Sequence, residues 1–258
     1  MTIFQVIILS IIEGLTEFLP VSSTGHLILA QKFLAVPISE FSKSFDIIIQ
    51  LAAILAVIWF YRNKLLQSKS LWQKTIISFL PTGILGFTLY KVIKNFLLGS
   101  LSITVTSLFL GGLILLLVDY LPRFNRGKKS IKDLSLSQLL NIGFFQSLSM
   151  IPGVSRSAAS IVGGLFSGLD RVNAVEFSFL LAIPTMIAAS GYDLLKSGLH
   201  FSSSEYLLLG LGCLVTFLSA LVSTKTFISF VGKHNFTPFA IYRIVLALII
   251  FISLRFFS

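Results

Sequence analysis

The chain has 258 residues, 55% of them hydrophobic and only 12% charged, with a mean hydropathy of +0.93. A soluble globular domain carries roughly 25% charged residues, so this composition excludes a water-soluble globule and makes lipid the main solvent. The formal net charge of +10 does not indicate nucleic acid. Its Lys and Arg residues fall in short runs between apolar segments, as positive-inside topology and contact with anionic headgroups require, and no DNA- or RNA-binding motif accompanies them.

The N-terminal stretch lacks a basic leader and carries Glu13 and Glu17, so it reads as mature protein rather than a cleaved signal. Residues 3–34 form the first helical region, broken at PVSSTG, residues 20–25. Only about 15 residues of helical pattern follow the break. At 1.5 Å per residue they span about 22 Å, short of the roughly 30 Å hydrocarbon core. A re-entrant hairpin is expected, with its broken backbone lining a polar cavity.

Glu13 and Glu17 stand at i and i+4, so both carboxylates face one side of a helix within an apolar segment. Carboxylates at membrane depth cost at least about 2.5 kcal/mol each on insertion scales and are functional by default, suited to proton or cation handling. Behind them Pro20, Ser22, Ser23, Thr24, Gly25 and His26 combine helix breakers, hydroxyls and a base. Free N–H groups at the next helix start make an anion cradle, although hydroxyls there also serve as ordinary N-caps. His26 lies about one turn after Ser23, where it could polarise the hydroxyl or itself attack phosphorus.

Spanning helices are expected at about 45–61, 75–91 and 102–121, the second weakened by Pro81 and Gly83. Asp46 and Gln50 could line a cavity or end a helix, and Asp119 marks an interface. Residues 137–169 repeat the first pattern, broken at PGVSRS, residues 152–157. Ser155, Arg156 and Ser157 open its second short helix, and the guanidinium fork matches a phosphate, with an ion pair to Glu13 or Glu17 as its structural alternative. The small-residue run from Ala158 to Gly164 permits close packing. Three further spans are expected at 176–196, 205–224 and 238–257. Glu176 suits a helix start, Cys213 is a small buried hydrophobe, and Arg243 either pairs with an acid, snorkels or meets substrate.

The halves 1–133 and 134–258 repeat. Pro20 and Pro152 are 132 apart, as are Phe45 and Phe177, and Ser23 falls opposite Ser155. One re-entrant hairpin plus three spans per half is an odd number of crossings, so the fold class is an all-α polytopic membrane protein built as an inverted repeat, with the site where the breaks meet. Twelve Lys and Arg residues lie in 62–74, 122–136, 169–175 and 225–237, against Lys32, Lys43, Lys91, Lys94, Lys196 and Arg255 on the other side. The richer side should be cytoplasmic, placing both termini and the site outside. No HExxH, Cys/His cluster, GxGxxG or Walker pattern supports zinc or nucleotide chemistry.

EGLTEFLPVSSTGHL (13–27) and PGVSRSAAS (152–160) resemble the two motifs of the bacitracin-resistance family of undecaprenyl-diphosphate phosphatases, and EFSFLLAIP (176–184) and PFAIYR (238–243) match further stretches of it. The resemblance covers essentially the whole chain. It departs at Ala158 and Ser160, where the family commonly has Gly and Thr. It implies an acid-anhydride hydrolase of the bacterial inner membrane that converts undecaprenyl diphosphate to the monophosphate, recycling the carrier for peptidoglycan synthesis and conferring bacitracin resistance. It also implies a divalent cation, Mg2+ or Ca2+, for which Glu13 and Glu17 are the expected ligands because hard cations favour carboxylate oxygens. The expected catalytic residues are Ser23, His26, Glu17, Glu13 and Arg156. Ser23 is the preferred nucleophile, assisted by His26, and a phosphohistidine at His26 is its rival. Ser22, Thr24, Gly25, Ser155, Arg156 and Ser157 are the expected substrate contacts. The partners are the polyprenyl diphosphate and membrane lipids, without nucleic acid; a homodimer is left open. The alternative function is a transporter that moves a polyprenyl phosphate between leaflets.

Overall fold

The computed structural model describes residues 1–89, 100–121, 127–197 and 201–257, with side chains described to 194 and 252 in the last two stretches. Lys91, Lys94, Arg123 and Arg126, and the side chains of Lys196 and Arg255, lie outside the described residues.

Apart from two 3₁₀ turns and one isolated bridge, every regular element among these residues is an α-helix. The helices are α1 (Ile3–Thr16), α2 (Ser23–Phe33), α3 (Glu40–Gln67), α4 (Lys69–Thr88), α5 (Leu101–Tyr120), α6 (Leu136–Ser147), α7 (Arg156–Phe166), α8 (Arg171–Ser197), α9 (Ser203–Val231) and α10 (Thr237–Phe257). Four of them, Glu40–Gln67, Leu101–Tyr120, Arg171–Leu194 and Ser203–Val231, are long and apolar enough to cross a membrane. The chain is an all-α polytopic membrane protein. α4, with Lys69, Lys74 and an internal Pro81, is not among those four, and the apolar part of α10 described, Thr237–Ile252, is shorter.

Several helices start earlier or run longer than hydropathy suggests. α3 begins at a Ser39/Ser42 capping box, and α9 at one formed by Ser202 and Glu205. Hydropathy sees only the lipid-facing stretch, whereas capping and the helix-forming residues beyond Tyr61 set where the helix ends.

The helices exchange partners between halves. α1 packs on α9, α6 on α4, and α3 on both α8 and α9, while α5 and α10 form a separate pair. Lipid offers no hydrophobic drive for helix association, so close approach and hydrogen bonds must supply it. At Gly14 of α1, an added Cβ would lie 2.6 Å from both Ser219 Cβ and the Thr216 carbonyl of α9, and a Cβ on Gly143 of α6 would collide with the Ser78 carbonyl of α4. Hydroxyls tie the same two contacts, Thr216 to the Ser10 carbonyl at 3.2 Å and Thr82 to the Gly143 carbonyl at 3.0 Å.

One end of the molecule gathers the basic loops. Lys64 pairs with Glu176 at 2.6 Å, Lys74 donates to the carbonyls of Lys132 and Leu134, Lys129 bridges Leu169, and Asp119 meets both Arg171 and Thr237. At the other end, Gln5 donates to the Leu34 carbonyl and Phe41 meets Phe201 edge-on. α2 runs outward to that second end and α7 outward to the basic one. Each has 11 residues, about 16 Å, or roughly half a bilayer core. Their N-termini therefore meet near mid-depth.

Candidate active site

Both short helices start on a strained serine. Ser22, preceding α2, has φ 71°, and Ser155, preceding α7, has φ 75°. Such non-glycine conformations persist only where the surroundings enforce them. The helix starts align Ser22 with Ser155 and Ser23 with Arg156, 133 positions apart (156 − 23) rather than 132. The expected Ser23–Ser155 correspondence is thus shifted by one residue. Within the second break, Gly153, at φ +93°, adopts a backbone conformation that L side chains rarely take.

A cavity of about 490 Å³ lies between these starts. Glu17, Ser22, Ser23, Thr24, Gln50, Ser155 and Arg156 line it from the hairpins and α3, and a mixed wall comes from Phe79, Thr82, Gly83, Gly86 and Phe87 of α4 with Thr185, Met186, Ala188, Ala189, Ser190 and Tyr192 of α8.

Glu17 organises the hairpin side. Ser23 Oγ donates to Glu17 Oε2 at 2.5 Å, and Arg156 Nη2 donates to Glu17 Oε1 at 3.0 Å. Arg156 also donates through Nη1 to the Ser178 carbonyl, and its guanidinium lies 5.6 Å from the Phe18 ring centre. The ion pair is nearly enclosed, its side chains 10% and 5% exposed. Removing one partner of such a pair strands the other charge, which makes the arrangement sensitive to substitution. α2 has no side-chain cap, so its first amides are free for an anion, whereas Ser155 Oγ caps α7 by accepting from the Ala158 amide.

The other expected residues take different places. Glu13 is fully buried one turn behind Glu17, outside the cavity wall, and neither of its carboxylate oxygens has a partner among the described residues. Ser157 is fully buried and donates to the Phe18 carbonyl at 2.7 Å, so it joins the two hairpins instead of facing the cavity. Gly25 lies outside the cavity lining. His26 does not reach Ser23. Its Nδ1 donates to the Ser22 carbonyl at 2.8 Å, which leaves Nε2 to accept from the Tyr242 hydroxyl at 2.6 Å, with the two rings stacked. Sequence spacing placed His26 one turn from Ser23; the helix start turns the imidazole away from the cavity and toward α10.

Residues 6–249 match the family described as bacitracin resistance protein BacA. The chain belongs to that family. Among its curated relatives, the undecaprenyl-diphosphatase of Aquifex aeolicus is 48% identical across 96% of this chain and 97% of its own length. Those of Persephonella marina and Methanococcus aeolicus are 49% and 44% identical, again over at least 96% of each chain.

In this BacA-family chain the departures at Ala158 and Ser160 are accommodated. Ala158 is buried at 5% exposure, and Ser160 Oγ reaches the Arg156 carbonyl at 2.8 Å and Ser178 Oγ at 2.7 Å. Gln50 reaches the cavity, which its i+4 relation to Asp46 had left open, while both carboxylate oxygens of Asp46 accept from the Gln31 amide nitrogen. Two groups were not legible as a unit in the sequence: Tyr242, which holds His26, and Gln146, fully buried, which bridges Thr82 and Thr185 across α4 and α8. An amide directly after the apolar run Ile142–Phe145 was the signal that would have found Gln146.

Proposed function

We propose that this protein is an integral membrane phosphatase that hydrolyses undecaprenyl diphosphate to undecaprenyl phosphate and inorganic phosphate, recycling the lipid carrier of peptidoglycan synthesis. The observation that carries the reading is the convergence of Ser23, Glu17 and Arg156, from both hairpins, on one cavity that also carries the apolar side chains Phe79, Phe87, Met186, Ala188 and Ala189. An isoprenyl diphosphate has both characters, with an anionic head and a hydrocarbon tail.

The chemistry follows from the contacts. Ser23 Oγ attacks the terminal phosphorus and passes its proton to Glu17 Oε2, which already accepts that hydrogen. The bond between the terminal phosphorus and the bridging oxygen breaks, the isoprenyl monophosphate leaves, and water then hydrolyses the phosphoserine. Arg156 and the uncapped amides of α2 hold the phosphoryl oxygens as charge builds on them. Occupation of both His26 nitrogens favours Ser23 over His26 as nucleophile.

A divalent cation would be held by Glu17, which lines the cavity, with Glu13 one turn behind it and outside the lining. Glu13 offers two buried carboxylate oxygens without protein partners, although no group of three His, Cys, Asp or Glu side chains surrounds them among the described residues. Phosphate oxygens and water would complete the ligand set. A cation there would neutralise charge on the diphosphate.

The two halves act as an inverted repeat, with the basic end in the cytoplasm and the site opening outward. Purified protein in detergent should release phosphate from farnesyl and undecaprenyl diphosphate. A transporter of the lipid phosphate would release none, and that result would overturn the reading.

A further inference from the structure

Arg243 on α10 is fully buried, the largest side chain so enclosed among the described residues. A buried guanidinium normally demands a carboxylate, because an unpaired charge in a low-dielectric interior is costly. Among the described residues, the acceptors of Arg243 are four backbone carbonyls. Nε donates to Leu108 at 3.3 Å and Nη2 to Ser107 at 3.4 Å, both on α5. Nη1 donates to Pro20 at 3.1 Å, and Nη2 also donates to Gly153 at 2.9 Å.

The last two contacts lie at equivalent points of the two breaks. Pro20 stands three residues before Ser23, and Gly153 three residues before Arg156. One planar group thus ties together the two backbone segments that deliver the reacting hydroxyl and the phosphate anchor. The surroundings are shaped for it. A Cβ on Gly111 of α5 would collide with Arg243 Nη2, and a Cβ on Gly153 would collide with the Thr104 carbonyl of the same helix. The α5–α10 pair therefore leaves room for the guanidinium on one side and presses on the second break on the other.

We propose that Arg243 is a positioning residue for the phosphatase reaction, fixing Ser23 relative to Arg156 through the carbonyls of Pro20 and Gly153. The inference rests on the reading of Ser23 and Arg156 as one site. Arg243 does not line the cavity and makes no contact with substrate in this account. Its effect is on geometry, and misplacement of about 1 Å at a reacting group can lower the rate by about 10²-fold. Lysine keeps the charge and loses the fork that reaches both breaks.

The test compares Arg243→Lys, Gly111→Ala and Gly210→Ala in detergent, with farnesyl diphosphate as substrate and thermal midpoints recorded alongside. Gly210 has nothing within 4 Å of an added Cβ and serves as the control. Arg243→Lys and Gly111→Ala should each lower kcat by about 10²-fold while KM changes by less than about threefold, since alignment and not uniform binding is lost. Their double variant should lose little more than either alone, because both displace the same guanidinium. Wild-type kcat in folded Arg243→Lys, or in folded Gly111→Ala should the lysine variant not fold, would overturn the proposal. So would a lowered thermal midpoint with kcat per folded molecule unchanged, which marks a merely structural role. Ser23→Ala and Arg156→Lys are run in the same assay. If those two retain activity, the reading of the site fails on its own account, whatever Arg243 does.

Discussion

Ser23 Oγ and the guanidinium of Arg156 meet on opposite oxygens of one carboxylate, Glu17, at 2.5 and 3.0 Å. In the proposed mechanism the nucleophile and the anion anchor are thereby held in register by the group that receives the proton. They also occupy the same place in their two helices, the first residue after a serine at positive φ.

Arg156→Lys should lose about 10²–10³ in phosphate release from the folded protein, although the positive charge is kept. A fork shared between Glu17 and the phosphoryl oxygens offers fixed donors that an ammonium does not. Near-normal turnover would remove Arg156 from the anchoring role.

A labelled terminal phosphate should become covalently attached to Ser23. Rapid denaturation of protein mixed with labelled substrate should yield an acid-stable phosphoester that persists in His26→Gln and is absent from Ser23→Ala. Acid-labile label, lost in His26→Gln, would assign the attack to the imidazole and contradict the tautomer set by the Ser22 carbonyl and the Tyr242 hydroxyl.

Legibility in the sequence followed the physics of each feature. Glu13, Glu17, Ser23 and Arg156 stood out because charge and helix breakers are expensive in lipid, and three of the four face one another in the cavity. His26 and Ser157 were assigned to the site from their spacing, their neighbours and the motif resemblance. Spacing gives a face of a helix but not the rotation of that helix in the bundle, and here the imidazole turns to Tyr242 and the hydroxyl to the Phe18 carbonyl. The one-residue shift between the halves was hidden because the Pro20–Pro152 and Phe45–Phe177 pairs both keep the 132-residue spacing, while Gly153 absorbs an extra residue only locally. Arg243 was visible as a buried charge, but its four carbonyl partners come from three separate segments and have no sequence signature.

Reporter fusions should place Lys128 and Ser258 on opposite sides of the membrane, with Lys128 in the cytoplasm. Lys129 is tied to Leu169 at the basic end, and α10 runs from Thr237, bonded to Asp119 at that end, toward the other. Both reporters on one side would refute the inverted arrangement of the halves.

Chelation should abolish phosphate release, and added Mg2+ or Ca2+ should restore it. Glu13→Gln should raise the cation concentration needed for half-maximal rate by about 10-fold or more, since a neutral amide replaces a carboxylate ligand. Full activity in chelator would remove the cation from the reaction and leave Glu13 a proton-handling group.

The central claim is that one site is built from both hairpins, and a double-mutant cycle on Ser23 and Arg156 tests it most directly. Residues that act as a unit lose their joint contribution once. In folded protein, Ser23→Ala and Arg156→Ala should each cost most of the rate, and the double variant should be no more than about tenfold worse than the weaker single variant. Losses that multiply, so that the two substitutions add fully in free energy, would show two independent sites and contradict the account.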